Sequence, residues 1–138
     1  MYNKILVTLD ATPTDRRIID HIKALAKIMH STIVLLHVAD GWAARMYGAD
    51  AVSPEVTQDK AYLAKVQAEF QSEGIPAESS LAFGDPASEI IKWVQEKGCD
   101  LVAMSTHGHR FLGDLLLGTT APKVQHNVSV PVLLLRAK

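Results

Sequence analysis

The stretch "KILVTLDATPTDRRIIDHIKALAKIMHSTIVLLHV" spans residues 4–38 and places one long amphipathic run between two short apolar runs. Residues 4–9 and 32–38 are short, mostly apolar and rich in β-branched side chains, which is typical of strands that are buried on both faces. Between them, apolar residues recur at helical spacing from about 13 to 30, and Thr12 is the predicted N-cap. A strand–helix–strand unit of this kind predicts parallel strands joined by a right-handed crossover.

The same alternation continues to the end of the chain. Apolar residues at helical spacing predict further helices over about 54–73 and 86–97, and a shorter one near 121–128. The remaining strands are predicted at 77–83, 100–105 and 130–136. The first of these is the most polar and is expected at a sheet edge. The second is the most apolar and is expected at the centre. Pro131 lacks a ladder donor, which favours an edge position for the third strand or a place at the start of that strand. The order predicts an α/β fold, with residues 1–138 forming one domain around a doubly wound parallel sheet that carries helices on both faces.

Composition excludes several classes of protein. The 138 residues include 14 basic and 15 acidic side chains, a balance that does not indicate a nucleic-acid-binding face in bulk. Cys99 is the only cysteine, so an intramolecular disulfide is excluded and a buried, inert thiol is expected. The N-terminus lacks the pattern of a secretory signal, and no apolar run is long enough to span a membrane, so we expect a cytoplasmic protein.

The predicted topology indicates where a ligand would bind. In a doubly wound sheet, ligands bind beyond the carboxyl ends of the strands, where the strand order reverses. The strand ends near Thr8, Val38 and Ser105 are therefore candidates. If the first and fourth strands are neighbours, Asp10 and Ser105 face a shared crevice.

The loop "STHGHRFLGDLLLGTT" (105–120) has features of a phosphate-binding loop. Gly108 allows the chain to turn, and Gly118 leaves room at the start of a helix, where Thr119 and Thr120 offer hydroxyl groups and backbone donors. The loop matches neither of the two best-known phosphate-binding motifs. Taken alone, its spacing leaves phosphate binding and a plain turn with a helix cap equally open.

These residues together resemble the universal stress protein (UspA-like) family. Its nucleotide-binding members carry G-x-x-G, nine residues and G-[ST] after the fourth strand, and this chain has S-T-H-G at 105–108, nine residues at 109–117 and then Gly118-Thr119. The segments "KILVTLD", "GDPASEII" and "VPVLLLR" are also similar to those of the family. The resemblance extends over nearly the whole chain.

The resemblance implies a Rossmann-like, five-stranded parallel sheet of order 3-2-1-4-5, of the adenine nucleotide alpha hydrolase-like type, that binds ATP or AMP. Asp10 matches the position that reaches the ribose, Val38 matches the position whose backbone contacts the adenine edge, and Met104 lies near the base in such sites. The positions that hold the phosphates match Gly108, Gly118, Thr119 and Thr120. Magnesium or manganese would be held by the phosphates, and no metal site made by the protein alone is implied. The resemblance also implies a homodimer, formed through about 130–136.

Two residues depart from the family pattern. Ser105 stands where the motif has its first glycine, and Thr8 stands where a proline is frequent. The Ser105 hydroxyl could hydrogen-bond the ribose, or its side chain could crowd the sugar. Both residues stay in the predicted nucleotide site, together with His107, which is expected to orient the loop.

Three functions remain open at the level of sequence. The first is a stress-response sensor or switch that binds an adenine nucleotide, the second is a nucleotide-free dimeric adaptor, and the third is a slow ATPase. Asp10 has no partner in the sequence for acid–base chemistry, so catalysis beyond slow ATP hydrolysis is not predicted. His37 is interpreted as a hydrogen-bonded core histidine. The irregular stretch 40–56 is interpreted either as a lid or as a turn packed on its own domain.

Overall fold

The computed structural model describes residues 1–39, 54–106 and 120–137. Helices alternate with strands along this part of the chain. The strands are β1 (Lys4–Thr8), β2 (Thr32–Ala39), β3 (Ala77–Phe83), β4 (Leu101–Thr106) and β5 (Val132–Arg136). The helices are α1 (Asp15–Met29), α2 (Pro54–Ser72), α3 (Pro86–Lys97) and α4 (residues 120–127). None of the helices among these residues is long and apolar enough to cross a membrane.

The five strands form one parallel sheet in the order β3-β2-β1-β4-β5. This order confirms the predicted fold class and the edge positions of β3 and β5. The prediction that the 100–105 strand is central was wrong, because β1 occupies the middle of the sheet and β4 lies beside it. Strand β4 is buried on both faces because helices cover both sides of the sheet, and any internal strand meets that condition.

Side chains alternate between two hydrophobic layers. On the face covered by α1 and α2, here called the α1/α2 face, strand residues such as Ile5 and Val7 pack with helix residues such as Phe70. On the opposite face, here called the α3/α4 face, Leu6 and Met104 pack with residues of α3 and α4. Burial of each large apolar side chain in these layers stabilises the folded state by about 1.5–3 kcal/mol. The two layers hold the carboxyl ends of the strands at one edge of the sheet.

Helix α1 begins at Asp15, two residues later than the sequence predicts. The expectation that Thr12 caps the helix was wrong, because the Thr12 carbonyl accepts the Asp15 N–H (3.0 Å) in a turn that precedes the helix. Thr14 occupies the N-cap position and makes no side-chain capping bond. Helix α3, by contrast, has an ordinary cap, in which the Asp85 carboxylate accepts the Ser88 N–H at 3.0 Å.

Candidate functional site

The central strand is shorter than both of its neighbours at the carboxyl edge. Strand β1 ends at Thr8, which pairs with Leu36, whereas β2 continues to Ala39. On the other side Val7 pairs with Ala103, and β4 continues to Thr106. We call the resulting gap, between residues 37–39 of β2 and 105–106 of β4, the notch. From ordinary strand geometry it is about 7 Å deep, with about 10 Å between the axes of its two flanking strands.

The β2 side of the notch presents the backbone of Val38. The last rung between β1 and β2 joins the Leu9 N–H to the Leu36 carbonyl (2.8 Å). Backbone groups alternate in direction along a strand, so the N–H and C=O of Val38, two residues beyond Leu36, also face the β1 side. In a regular ladder the Val38 N–H would donate next to the Leu9 carbonyl, and the Ala11 N–H would then donate to the Val38 carbonyl. The Ala11 N–H donates instead to Asp15 Oδ2 (2.9 Å).

The β4 side of the notch is formed in the same way. The Val102 N–H donates to the Pro131 carbonyl, and the Thr106 carbonyl accepts from Ala137, so the even-numbered residues of β4 face β5. The C=O of Ser105 therefore faces β1, where the Asp10 N–H would form the next rung. That N–H donates instead to Asp15 Oδ1 at 2.9 Å.

Asp15 is therefore the organising side chain of this edge. Its relative exposure is 0%, and the Tyr62 hydroxyl of α2 also donates to its Oδ2 (2.8 Å). Burial raises the pKa of Asp15, and the hydrogen bonds from the Tyr62 hydroxyl and from the backbone of Asp10, Ala11 and Thr12 act against that rise. Burial together with the neighbouring Asp15 raises the pKa of Tyr62, so the phenol stays protonated and remains a donor.

His37 ties the same loop to α2 on the α1/α2 face. Its Nδ1 lies 2.8 Å from the Leu9 carbonyl, and since a carbonyl only accepts, Nδ1 carries the proton. Its Nε2 lies 3.4 Å from Asp59 Oδ2, within ion-pair distance, although that oxygen makes no hydrogen bond among the described residues. The interpretation of His37 as a hydrogen-bonded histidine is confirmed, and its partner is the loop that borders the notch.

Three of the predicted site residues lie on the α3/α4 face at the carboxyl edge. Thr8 shares this face with Leu6 by alternation, Val38 packs against the layer there, and Met104 lies within it. The Met104 side chain is only 2% exposed, so it belongs to the core beneath the notch. Thr120, at the first described position of α4, is buried near the same layer, which its neighbour Ala121 joins.

Two further predicted residues lie elsewhere at this edge. Asp10 is half-buried in the loop that leaves β1. Ser105 alternates with Met104 and so directs its side chain to the α1/α2 face, beside Ala103. It is 6% exposed, and its Oγ has no hydrogen-bond partner among the described residues. The remaining predicted residues, His107, Gly108, Gly118 and Thr119, lie outside the described residues, as do residues 40–53.

Asp15 and Tyr62 were not predicted as parts of the site. An acidic residue in the first turn of a helix is commonly explained by the helix dipole, and Tyr62 fits the apolar face of α2. A carboxylate that follows a predicted strand end by a few residues could have indicated them. If such a side chain is buried, it requires a hydrogen-bonding partner nearby. Among the described residues, no group of three or more His, Cys, Asp or Glu side chains could hold a metal ion.

A doubly wound sheet with a notch at the reversal of strand order defines a class of α/β proteins that bind ligands at the carboxyl edge. The universal stress protein family model matches residues 1–136, and the chain belongs to that family. Universal stress protein MJ0577 of Methanocaldococcus jannaschii is 25% identical over 157 residues, covering 100% of this chain and 97% of its own.

Solved structures agree with this assignment. The structure of MJ0577 superposes with a TM-score of 0.82 at 27% identity, covering 100% of this chain and 98% of that one. A universal stress protein in complex with cAMP gives 0.75 at 17% identity and covers 99% of this chain and 98% of its own. One from Archaeoglobus fulgidus in complex with dAMP gives 0.72 at 16% identity and covers 98% of both chains. The last two likenesses are of fold.

Proposed function

We propose that this protein binds an adenine nucleotide, ATP or AMP, in the notch and acts as a sensor or switch in a stress response. The observation that carries the proposal is the backbone of Val38, whose N–H and C=O both face the notch. Adenine has an amino donor beside a ring-nitrogen acceptor. A base lying in the plane of the sheet would satisfy both groups in place of the missing rung from β1.

The related structures support an adenine ligand in particular. The two complexes with cAMP and dAMP contain different sugars and different phosphate linkages, but each contains adenine. A site that recognises the base through backbone groups would accept both kinds of nucleotide. The same recognition through Val38 is proposed for this chain.

The ribose is proposed to lie between Asp10 and Ser105. Asp10 supplies a carboxylate for the sugar hydroxyls. The Ser105 side chain projects to the α1/α2 face, out of the plane of the notch, which favours its serving as a partner for the sugar over its crowding the sugar. Its buried Oγ, which lacks a partner among the described residues, supports the same choice. Thr8 and Met104 would form the wall of the site on the α3/α4 face.

The phosphates are proposed to bind to the loop that leads into α4. This part of the proposal rests on the sequence motif, in which Gly108, Gly118 and Thr119 precede Thr120. A helix N-terminus offers free N–H groups and partial positive charge to an anion. His107 would orient the loop, and Mg²⁺ or Mn²⁺ would be held by the phosphates.

Mass spectrometry of ligand released from the purified, denatured protein, followed by calorimetry with AMP and ATP, tests the proposal. We expect an adenine nucleotide, and we expect Asp10→Asn to weaken binding about tenfold, the effect of losing a charged hydrogen bond. Asp20→Asn is the matched control, because Asp20 pairs with Arg16 on the exposed side of α1 and should leave affinity unchanged. No released nucleotide and no binding heat at millimolar AMP or ATP would contradict the proposal.

A dimeric adaptor that binds no nucleotide is the second candidate, and the edge strand β5 favours it. Leu134 is 38% exposed there, and β5 has no strand on its outer side among the described residues. An edge of this kind is open to pairing with a second copy, here through residues 130–136. Sedimentation equilibrium of the protein and of Leu134→Lys distinguishes a dimer formed at this edge from a monomer. Catalysis beyond slow ATP hydrolysis is not proposed.

A further inference from the structure

We infer that Asp15 is a positioning residue of the nucleotide site, whose carboxylate ends the central strand and keeps the notch open. The inference rests on the proposed function for its ligand, but its structural part concerns the ligand-free protein. Asp15 itself is fully buried at the start of α1 and faces the loop that leaves β1.

The two amides that follow strand β1 by one residue, those of Asp10 and Ala11, would point in opposite directions if the strand continued. In a parallel sheet the Asp10 N–H would point towards β4 and the Ala11 N–H towards β2, because backbone groups alternate. Asp15 accepts both, one on each carboxylate oxygen, at 2.9 Å. One side chain thus removes from the ladders both donors that would extend β1.

The two neighbouring strands lose the donors that β1 would have supplied. The carbonyl groups of Val38 and Ser105 would have received those two donors, and they face the notch instead. If the amides returned to the ladders, β1 would lengthen by a further rung on each side and the chain would fill the notch. The φ angle of Ala11 is +62°, a left-handed conformation that turns the chain out of the strand direction and is unfavourable for a residue other than glycine. The two bonds to Asp15 stabilise that turn.

Helix α2 also holds the Asp15 carboxylate, through a hydrogen bond from Tyr62. The Tyr62 hydroxyl donates to Oδ2, the same oxygen that accepts from Ala11, and therefore links the carboxylate to α2. The carboxylate is thus held by backbone donors of the loop and by the phenol of α2. This makes its position independent of a bound ligand.

The opposite end of β1 provides a matched control. There the Asp100 carboxylate accepts the N–H groups of Asn3 (2.8 Å) and Lys4 (3.0 Å), again one on each oxygen. Asp100 lies at the amino edge of the sheet, a strand length away from the notch. Asp100→Asn therefore removes the same chemistry without touching the proposed site.

Hydrogen exchange of backbone amides in ligand-free Asp15→Asn tests the structural part. The Tyr62 hydroxyl can accept as well as donate, so the new amide nitrogen should replace Oδ2 and leave the Ala11 N–H without its acceptor. We expect the Ala11 amide, which loses its acceptor, to exchange faster than in the wild type, while the Asp10 amide remains protected. Unchanged exchange at both amides would overturn the inference, whatever nucleotide binding shows.

Calorimetry with AMP tests the functional part. We expect Asp15→Asn to weaken binding at least about tenfold, Tyr62→Phe to change it by less than about threefold because both amides keep their acceptors, and Asp100→Asn to leave it unchanged. Equal weakening by Asp100→Asn and Asp15→Asn would show that global stability is responsible, and would overturn the inference. If the wild type binds no nucleotide, the proposed function fails while the exchange result stands by itself.

A measurement on the wild type covers the case in which Asp15→Asn does not fold. Through-hydrogen-bond scalar couplings join an amide nitrogen to the carbon of its acceptor group. We expect couplings from the nitrogens of Asp10 and Ala11 to the Asp15 carboxyl carbon, with and without AMP. Couplings from these nitrogens to the carbonyl carbons of Ser105 and Val38 would overturn the inference.

Discussion

Asp15 and Cys99 show how far burial determines the chemistry of single residues in this protein. The Asp15 carboxylate is fully buried, yet it is surrounded by donors and shapes the edge of the sheet. The Cys99 thiol is 4% exposed and lies within the layer on the α3/α4 face, beside apolar side chains. Burial thus gives the Asp15 carboxylate a structural role and makes the Cys99 thiol chemically inert.

Alkylation of Cys99 tests the second case. Burial raises the pKa of this thiol to about 11, so little thiolate exists near neutral pH, and the sulfur is also shielded from reagent. We expect iodoacetamide at pH 8 to label the native protein far more slowly than the same protein in guanidinium chloride. Equal labelling rates in the two states would show that Cys99 is accessible to the reagent and would contradict its burial in the hydrophobic layer.

At the scale of elements, α1 and α2 are joined by a network of charged side chains on the surface of the α1/α2 face. Glu69 of α2 pairs with Arg16 and Lys23 of α1, and Glu73 pairs with Lys23 and Lys27. Because Asp15 and Tyr62 link the same two helices beneath this network, the charged pairs help to keep α2 in place against the loop at the notch.

Acid titration of stability tests the network. The hydrogen bond from Arg16, with that from Lys23, lowers the pKa of Glu69 from 4.5 to about 2. Between these values the unfolded chain binds a proton that the folded protein does not, so the stabilisation is complete above about pH 5 and is lost as the pH falls towards 2. Glu69→Gln should lower the free energy of unfolding by about 1 kcal/mol at pH 7, and the difference from the wild type should shrink towards pH 2.

Urea unfolding at several pH values measures this difference. Glu96→Gln serves as the control, because Glu96 is an exposed residue of α3 on the other side of the sheet. A wild-type advantage over Glu69→Gln that stayed constant down to pH 2 would show that the charge of Glu69 does not contribute to the stability.

The elements themselves follow closely from sequence, and the reason is periodicity. The apolar runs at 4–9 and 32–38 predict β1 and β2, and Asp85 and Gly98 predict the two ends of α3, because each signal is local. The start of α1 was not predicted correctly. The position at which the helix begins depends on the hydrogen bonds from the Asp10 and Ala11 amides to the Asp15 carboxylate. Those bonds form at the end of the central strand, so they have no local signal in the sequence.

At the scale of the whole molecule, the order of the strands could be predicted but the notch could not. Alternating elements predict parallel strands, and the order of the strands is what the family resemblance implies. The notch depends on two backbone donors that leave the ladders for one side chain, an arrangement with no periodic signal. The predicted phosphate-binding residues from His107 to Thr119 remain predictions, because they lie outside the described residues.

The proposed function therefore depends on one feature of the fold, the notch in the middle of the parallel sheet. Strands β2 and β4 flank it, and α1 supplies the carboxylate that maintains it. A nucleotide bound there would complete the sheet with its base. It would touch the protein at the switch point between the two halves of the chain.

Titration of the ¹⁵N-labelled protein with AMP, followed through the backbone amide signals, tests this claim most directly. We predict that the Val38 amide shifts strongly on saturation, because its N–H gains an acceptor on the base. The amide of Val34, which lies within the β1–β2 ladder, should stay in place. Saturable binding of AMP with an unmoved Val38 signal, or no binding at millimolar AMP, would contradict the account.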